Sequence, residues 1–315
     1  MSSFPGHRMD GRWIRSTRGA KSPADPFLPY GWFNEQETSP DGQLTEVSAI
    51  LLTNRECPYN CLMCDLWKHT TDETVPPGAI PAQIEYALEK LVPAGHLKLY
   101  NSGSFFDPGA IPVEDYQHIA AAAEGFEHVL VESHTAYIGD KCLEFNEMLS
   151  GQLQVAIGLE TVHPEVLPRL NKGMDLEHFR KSVAFLKEHE ISTRAFILLR
   201  PPFLSEKEGL EWACRSIDYA FSCGVDVCSV IPVRSGNGAL DHLEAEGYFQ
   251  EPSIHSLEEV LAYGISLNRG LVFADLWDLE RFSSCGTCFI SRQDRLQGMN
   301  LRQEILPRIS CSCSA

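Results

Sequence analysis

Three cysteines that share one short segment are the residues best suited to chemistry in this sequence. The segment reads Cys57-Pro-Tyr-Asn-Cys61-Leu-Met-Cys64, and an apolar run that predicts a β-strand leads into it. Cysteine thiolates are the usual ligands of iron–sulfur clusters, and a [4Fe–4S] cluster normally takes four of them. Three cysteines leave one iron without a protein ligand, so a small molecule can chelate that iron. We therefore predict a [4Fe–4S] cluster on Cys57, Cys61 and Cys64.

A zinc site or a chance group of core cysteines would fit this segment less well. Zinc usually takes four ligands, which proteins often supply as pairs of cysteines with two other residues between them. Three cysteines that serve only as core residues seldom share so short a loop. The chain has 11 cysteines in all, which indicates metal ligation in a reducing compartment rather than disulfide bonding. We therefore expect a cytoplasmic protein that is sensitive to oxygen.

A second set of cysteines lies near the end of the sequence. Cys285 and Cys288 form one close pair, and Cys311 and Cys313 form another. Two such pairs make a four-thiolate set of the kind that holds structural zinc, so we predict Zn²⁺ there. A second [4Fe–4S] cluster and the absence of any metal are the alternatives. The cysteines within predicted helices or strands are interpreted as core residues: Cys142, Cys214, Cys223 and Cys228.

The charge balance argues against a protein that holds nucleic acid over its whole surface. The net charge is −17 and the pI is about 5.0, whereas neutralising phosphates requires a basic surface. Any nucleic-acid contact must be local, and the basic segment from Arg8 to Lys21 is its candidate. We interpret that segment as a disordered tail. No apolar run approaches the ~20 residues that span a bilayer, and no secretory signal is recognisable, so we expect no membrane association.

Alternating strand and helix patterns between Val47 and Arg234 predict βα units and a parallel sheet. The apolar runs are nearly continuous, as is typical of strands buried on both faces. We predict strands at 49–53, 97–101, 128–132, 154–159, 193–199 and 225–233. Helices are predicted at 80–91, 113–124, 141–149, 176–188 and 206–222, with a further helix at 256–267. Asp175 and Ser205 are predicted N-caps, and segment 24–40 is predicted to be a loop.

From the cysteine segment onward, the chain resembles the radical S-adenosylmethionine (SAM) superfamily. Within that superfamily it is similar to the group that includes the archaeosine synthase radical SAM subunit and the Elongator catalytic subunit. The stretches that carry this second resemblance are Leu99-Tyr-Asn-Ser-Gly-Ser-Phe-Phe-Asp107, Val155-Ala-Ile-Gly-Leu-Glu-Thr161, Leu170-Asn-Lys-Gly-Met174, Arg194-Ala-Phe-Ile-Leu-Leu-Arg-Pro-Pro-Phe203 and Ile231-Pro-Val-Arg-Ser-Gly-Asn-Gly238.

The resemblance implies a fold and a domain organisation. The fold class is α/β, a partial (β/α)6 TIM-like barrel with residues at the strand ends gathered at one mouth. Residues 1–45 would form an irregular N-terminal segment, 46–240 the radical SAM barrel, and 241–315 a C-terminal extension with the second cysteine set.

The resemblance also implies which residues bind SAM. The Asn101-Ser102-Gly103 turn replaces the usual Gly-Gly-Glu motif that meets the SAM amino group, and a plain tight turn is the alternative. Glu132 and Glu160 each follow an apolar strand, where an unpaired carboxylate is expensive to bury. By the resemblance, both glutamates are assigned contacts with SAM.

Two further residues near strand ends are assigned to SAM in the same way. Arg200 closes the fifth predicted strand, and its guanidinium could clamp the SAM carboxylate in a two-pronged contact. A structural salt bridge from Arg200 to Glu132 or Glu160 is the alternative. Val233 ends the sixth predicted strand and is assigned a backbone contact to adenine.

The implied activity is reductive cleavage of SAM to methionine and a 5′-deoxyadenosyl radical that abstracts hydrogen from a substrate. For this group, the substrate would be a lysine-bearing 7-deazaguanine in tRNA, and scission of a carbon–nitrogen bond would leave the amidine of archaeosine. The expected partners are tRNA, an electron donor such as flavodoxin or ferredoxin, and a lysine-transferring subunit. A radical SAM enzyme acting on a small metabolite, nucleoside or peptide is the alternative, and a non-catalytic iron–sulfur scaffold or sensor is a second one.

Overall fold

The computed structural model describes residues 4–39 and 41–314 and shows one curved sheet of eight strands in chain order. The first strand is antiparallel to the second, and all later neighbours are parallel. The strands are β1 (Gly31–Thr38), β2 (Leu44–Leu52), β3 (His96–Asn101), β4 (His128–Glu132), β5 (Gln152–Glu160), β6 (Ser192–Leu199), β7 (Val227–Pro232) and β8 (Leu271–Ala274). The predicted partial TIM-like barrel is confirmed.

Helices follow most strands and cover the outside of the sheet. They are α1 (Gly11–Thr17), α2 (Ala79–Leu88), α3 (Tyr116–Ala122), α4 (Asp140–Met148), α5 (Leu176–Glu188), α6 (Glu206–Ser222), α7 (Ala239–Ala245), α8 (Ile254–Ser266) and α9 (Gly286–Arg302). Both predicted N-caps are confirmed. Asp175 accepts the His178 N–H at the start of α5, and Ser205 forms a capping box with Glu208 at the start of α6. Each cap satisfies an N–H that the first helical turn leaves unpaired.

Hydrophobic residues form two buried clusters within the described part of the chain. The larger one lies between the sheet and its outer helices and includes residues such as Ile50, Leu99 and Ile197. The smaller one lies near the C-terminal ends of the parallel strands, where Ile14 of α1 packs with Leu62 and other buried residues. Since Leu62 lies between two of the predicted cluster cysteines, this second core places α1 beside the mouth of the barrel.

A buried set of charges crosses the inside of the barrel. Glu37 of β1 pairs with both Lys98 of β3 and Arg194 of β6. Burial disfavours the charge on Glu37, yet the two cations hold the pKa of its carboxyl well below the usual range. Buried charges are tolerated when they are paired in this way. The network places β1 against strands far from it in the sequence.

The sheet is not a closed barrel in the described part of the chain, since β1 and β8 are its two edges. Helix α9 bridges this gap at the end away from the mouth, where the Thr38 hydroxyl donates to the Leu301 carbonyl at 2.5 Å. The amides of Asn300 and Gln303 also pair with backbone groups of β8. Asn300 of α9 and Gln303, which follows that helix, therefore satisfy the outer edge of β8, which would otherwise be exposed.

Several elements differ from the prediction. Segment 24–40 is not a loop throughout, because Gly31–Thr38 form β1; Pro40 lies outside the described residues. Strand β8 and helices α1, α7 and α9 were not predicted. The 113–124 helix begins with a 3-10 turn and ends at Ala122. Among the described residues, no helix has the length and apolar character needed to cross a bilayer.

Candidate active site

The cluster loop, residues 57–64, follows β2 at the mouth of the barrel and is held by a histidine beyond β4. The ring of Tyr59 stacks on His134 with centroids 4.0 Å apart. The Ala136 N–H donates to His134 Nδ1, so Nε2 carries the proton and donates to the Lys172 carbonyl at 2.9 Å. Burial lowers the pKa of His134 to about 4, which keeps the imidazole neutral at pH 7.

Backbone groups of the cluster loop are bound by two further segments. The Asn171 amide donates to the Asn60 carbonyl at 2.7 Å, and the Leu62 N–H donates to the Leu170 carbonyl at 2.8 Å. From the loop after β7, the buried Asn237 amide donates to the Leu62 carbonyl at 2.8 Å. These bonds fix the loop from several strand ends, so its thiols keep their relative positions.

The three loop cysteines are partly buried and are in the thiol form at neutral pH. Burial raises the pKa of Cys57 to about 11 and the pKa values of Cys61 and Cys64 to about 12. Metal binding would therefore release protons. Gly103 lies against the loop, since a Cβ there would be 3.3 Å from the Cys57 Cβ.

Asn101, the last residue of β3, carries a side-chain amide with no protein partner among the described residues. Asn101 is fully buried, and both polar atoms of its side chain lack a hydrogen bond. Its backbone N–H donates to Glu132 Oε1 at 2.8 Å, and the Ser102 N–H donates to Asn54 Oδ1 at 3.0 Å. A buried amide left unpaired is costly. The predicted turn therefore has a donor and an acceptor that suit a polar ligand.

Glu132 is half-buried at the end of β4, and its carboxylate accepts from the Asn101 N–H at the end of β3. Burial raises the pKa of this carboxyl to about 8, although the Asn101 N–H favours the ionised form. A ligand that brings a positive charge to the carboxylate would favour its ionisation. The position of Glu132 at the mouth therefore suits recognition of an ammonium group.

Glu160, at the end of β5, is buried and forms an ion pair with Lys172. Burial opposes the charge of Lys172, yet the Glu160 carboxylate raises the pKa of its ammonium. The register of β5 shifts between Gly158 and Glu160, and Glu160 has a left-handed φ of 64°. A Cβ at Gly158 would run into both the Glu160 carboxylate and the Lys172 ammonium, so only glycine leaves room for this pair.

Arg200 has contacts that differ from those expected. Its guanidinium binds Glu206, the Gln250 side chain and the Glu251 carbonyl. This favours the structural interpretation of Arg200, with Glu206 as the partner instead of Glu132 or Glu160. The assigned contact between Arg200 and the SAM carboxylate stays a prediction.

Val233 lies beside α1 in the smaller hydrophobic core. Its side chain is buried there, and its N–H donates to the Leu199 carbonyl. The backbone N–H is therefore used by the neighbouring strand end. The assigned contact between Val233 and adenine stays a prediction.

The basic N-terminal segment is not a disordered tail in the described residues. Asp10 caps α1, and a Cβ on Gly11, the first residue of that helix, would lie 3.4 Å from Asn60 of the cluster loop. Arg18 and Lys21 both pair with Glu56, the residue before the first loop cysteine. The segment therefore supports the cluster loop, and two of its cations are neutralised there.

The four tail cysteines converge at the start of α9. All four thiol sulfurs lie within 4.8 Å of one another, with Cys285 and Cys311 3.8 Å apart and Cys288 and Cys313 3.5 Å apart. Backbone N–H groups at the start of α9 lower the pKa of Cys285 to about 6. The set predicted from the sequence is thus brought together and can hold a metal ion.

A buried arginine lies beside the tail cysteines. The Nε of Arg292 donates to the Cys288 sulfur at 3.2 Å, while its guanidinium also pairs with Glu258 of α8. Arg295 pairs with the same carboxylate and binds the Leu306 and Pro307 carbonyls. These contacts hold the returning chain against α8 and α9.

Sequence reasoning missed the residues that support the predicted ligands. Lys172, His134 and Asn237 were not assigned roles. A signal for Lys172 was present, because it lies in the short stretch 170–174 that follows the strand ending in Glu160. Nothing in the local sequence of His134 or Asn237 indicates that they bind near the cluster loop, since their partners are 38 and 175 residues away.

Known proteins resemble this chain in sequence and in fold. It is 23% identical over 313 residues to an uncharacterized protein of Methanocaldococcus jannaschii, covering 92% of this chain and 86% of that one. It is 25% identical over 239 residues to the archaeosine synthase subunit beta of Methanosarcina acetivorans, covering 70% of this chain and 67% of that one. No protein-family model matches the chain.

Among solved structures, the chain is similar in fold to the archaeal Elp3 of Methanocaldococcus infernus with an N-terminal deletion. The TM-score is 0.51 at 16% sequence identity, and the match covers 71% of this chain and 59% of the solved one. The chain thus spans less than two thirds of the solved protein.

Proposed function

The chain belongs to the radical SAM superfamily, and from that premise we propose that it cleaves SAM reductively to modify a 7-deazaguanine base in tRNA. It is an enzyme. The observation that carries the proposal is the loop of three thiols at the barrel mouth, with an unpaired buried amide and two strand-end glutamates beside it. No purely structural role accounts for these groups together.

The residues of the loop fit a [4Fe–4S] cluster. Cys57, Cys61 and Cys64 would hold three irons and leave the fourth iron free for a small-molecule ligand. When bound and reduced, the cluster supplies the electron that cleaves SAM to methionine and a 5′-deoxyadenosyl radical. The contacts of Tyr59 and Asn237 would keep the loop in the geometry that the cluster needs.

The groups around the loop fit SAM. We assign the SAM ammonium group to Glu132 and to the side chain of Asn101, whose carbonyl oxygen can accept a hydrogen bond. Glu160 would accept from ribose hydroxyls, and Lys172 would face the SAM carboxylate. Each assignment gives a polar partner to a buried group that can use one.

The RNA substrate is proposed from the sequence relatives. A relative that is 25% identical is named archaeosine synthase subunit beta, and the resemblance implies hydrogen abstraction from the carbon next to the amidine nitrogen of the lysine adduct. If the carbon radical then returned one electron and took up water, the carbon–nitrogen bond would break to leave the amidine on the base and an aldehyde on the lysine fragment. We propose tRNA, a lysine-transferring subunit and a flavodoxin or ferredoxin as partners.

The tail cysteines are proposed to bind structural zinc. A tetrahedral zinc ion with bonds of ~2.3 Å sets its sulfurs ~3.8 Å apart, which is close to the 3.8 and 3.5 Å between paired tail sulfurs. A cubane cluster places each thiolate on a different iron and would need wider spacing. Arg292 would then bind a metal-ligating sulfur, as outer groups at metal sites commonly do.

The test uses a triple variant in which Cys57, Cys61 and Cys64 are replaced by alanine. After anaerobic reconstitution, we expect the wild type to produce 5′-deoxyadenosine from SAM and to convert tRNA that carries the lysine-modified 7-deazaguanine. The triple variant should do neither. A matched control replaces Cys214 and Cys223, two half-buried cysteines at α6, and should retain both activities.

The outcomes separate the proposed function from its alternatives. Undiminished 5′-deoxyadenosine from the triple variant would contradict the cluster assignment. SAM cleavage by the wild type without conversion of the tRNA would favour a metabolite, nucleoside or peptide substrate. A wild type that binds iron and SAM but never cleaves SAM would be a scaffold or sensor.

A further inference from the structure

An exposed tryptophan lies at the mouth beside the open edge of the barrel. Trp277 follows β8, and its ring meets that of Phe33 in β1 with centroids 5.3 Å apart and planes at 65°. These two residues therefore span the gap between β1 and β8 at the mouth. Trp277 remains 56% exposed, so much of its apolar surface stays in contact with water and does not stabilise the fold.

The backbone that carries Trp277 is firmly held. Its N–H donates to Asp275 Oδ1 at 3.0 Å, and its carbonyl accepts from the Arg234 guanidinium at 2.6 Å. Arg234 also pairs with Asp275 at 2.8 Å. The indole is thus presented to solvent on a fixed support, which lowers the entropy that it would lose on binding a ligand.

Trp277 belongs to the same rim as the cluster loop. The Lys68 ammonium, just beyond the loop cysteines, binds the Gly236 carbonyl at 2.8 Å. The neighbouring Ser235 is bound by Arg281, and Arg234 binds the Trp277 carbonyl. A continuous chain of contacts therefore joins the segment after the cluster loop to the edge on which Trp277 stands.

Aromatic surface continues from this edge into the barrel. Tyr100 and Phe196 are half-buried, and each lies two residues after an inward-facing cation of the buried network, Lys98 or Arg194. Side chains two residues apart on a strand share a face. The guanidinium of Arg194 also lies over the ring of Phe273, at 5.4 Å from its centroid. The inner wall therefore offers several flat apolar surfaces.

We propose that Trp277 is the platform on which one extruded base of the substrate stacks at the mouth. This inference rests on the proposed function, because enzymes that act on a base take it out of its stack and hold it between aromatic or apolar side chains.

The charge of the site favours a base over a phosphate. The chain carries −17, and the nearby Arg234 and Arg281 are already paired with Asp275 and Glu251. Stacking requires no net charge on the protein.

The experiment compares two RNAs and three variants. One probe is tRNA that carries the lysine-modified 7-deazaguanine, and the other is the same tRNA with an abasic residue at that position. Trp277→Ala should weaken binding of the first probe by ~5- to ~150-fold, the range expected for one base stack, and leave binding of the second unchanged. Trp277→Phe keeps a flat ring and should lose little. Leu44→Ala, at the opposite end of the barrel and similarly exposed at 52%, should change neither.

The outcomes distinguish this inference from the proposed function. If the wild type converts the tRNA but Trp277→Ala binds both probes as the wild type does, the stacking proposal is overturned and the function stands. If Trp277→Ala weakens both probes equally while its iron content is normal, Trp277 contacts the RNA elsewhere and the proposal is again overturned. A wild type that binds neither probe would overturn both the inference and the proposed function.

Discussion

The ammonium of Lys172 meets the carboxylate of Glu160 in a space that exists only because residue 158 is glycine. The pair lies close to Cys61 of the cluster loop. The segment that carries Lys172 is also bonded to that loop, because the Leu170 carbonyl accepts from the Leu62 N–H and the Asn171 amide donates to the Asn60 carbonyl. Two predictions separate what this pair does for the fold from what it does for the cofactor.

Removal of the cation should destabilise the protein. Lys172→Met leaves the buried Glu160 carboxylate without its partner, and we expect a loss of ~3–5 kcal/mol in the free energy of unfolding. Urea denaturation of the metal-free protein would measure it. The double variant Lys172→Met/Glu160→Gln should recover much of the loss, because it removes the stranded charge. Lys181→Met, at an exposed position on α5, is the control, and an equal effect there would refute this account.

Neutralising the carboxylate should mainly affect SAM. Glu160→Gln keeps a hydrogen-bond acceptor for Lys172 but removes the charge, so we expect SAM affinity to fall ~10-fold, the cost of one charge-assisted hydrogen bond. Iron content after reconstitution should not change. Calorimetric titration of SAM into the anaerobic protein, with iron analysis of the same sample, tests both parts. Parallel loss of iron and of folded protein would assign Glu160 a structural role instead.

Glu132 should make stability depend on pH. Its carboxyl titrates near 4.5 when unfolded, whereas burial raises its pKa to about 8 in the fold. The folded state holds this proton more tightly than the unfolded state does. The stabilisation that this carboxyl gives the fold is therefore greatest below the unfolded pKa and is lost as pH rises toward 8. Between pH 5 and pH 8, we expect the free energy of unfolding of the wild type to fall by ~1–3 kcal/mol more than that of Glu132→Gln. Thermal unfolding of the metal-free proteins at several pH values would show this, and parallel curves would contradict it.

Arg200 should behave differently from Glu160. Its guanidinium bonds Glu206, Gln250 and Glu251, so Arg200→Met should lower the free energy of unfolding by ~2–3 kcal/mol through loss of charge-assisted bonds. The SAM affinity of the folded protein should stay within about twofold of the wild type. A variant that folds normally but binds SAM about ten times more weakly would instead support the contact between Arg200 and the SAM carboxylate that the sequence predicts. Arg180→Met, which removes an exposed ion pair on α5, is the control.

The tail site should retain metal when the cluster is absent. Metal analysis of the Cys57/Cys61/Cys64 triple variant, purified without oxygen, should find about one zinc per chain and no iron. About four irons would instead identify a second cluster, and the absence of both metals would leave the tail cysteines without a metal role. Serine at Cys285 and Cys288 should increase hydrogen exchange in residues 280–314, because metal binding and folding of this segment are coupled. Exchange in β2 should not change.

The parallel strands could be predicted from the sequence because each is a local apolar run. Strands 128–132 and 193–199 were found within one residue of their observed bounds. Strand β1 was missed because its sequence, Gly31-Trp-Phe-Asn-Glu-Gln-Glu-Thr38, places Glu35 and Glu37 where a buried strand would be apolar. The cations that make these carboxylates tolerable, Lys98 and Arg194, are 61 and 157 residues from Glu37, so no local pattern could reveal them.

In the candidate site, as in the fold, the features that depend on local sequence could be predicted and those that depend on distant contacts could not. The spacing of the loop cysteines and of the tail pairs is local information, and the sequence predicts both sets. Roles of individual side chains depend on which strand end faces which. Arg200 follows its strand as expected, yet its φ of 55° and its contacts with residues 206, 250 and 251 turn it toward the start of α6. The partners of Lys172 and Asn237 likewise depend on the curvature of the sheet, which determines which strand ends lie next to one another.

The hydrogen bond from Thr38 to Leu301 joins residues 263 positions apart. During synthesis, the first strand of the sheet must therefore wait for nearly the whole described chain before its edge is covered. Contacts of such separation are slow to form and leave strand edges open to other chains in the meantime. A nascent chain of this protein would be most prone to aggregate just before α9 emerges, and chaperones that bind open strand edges would be most useful then.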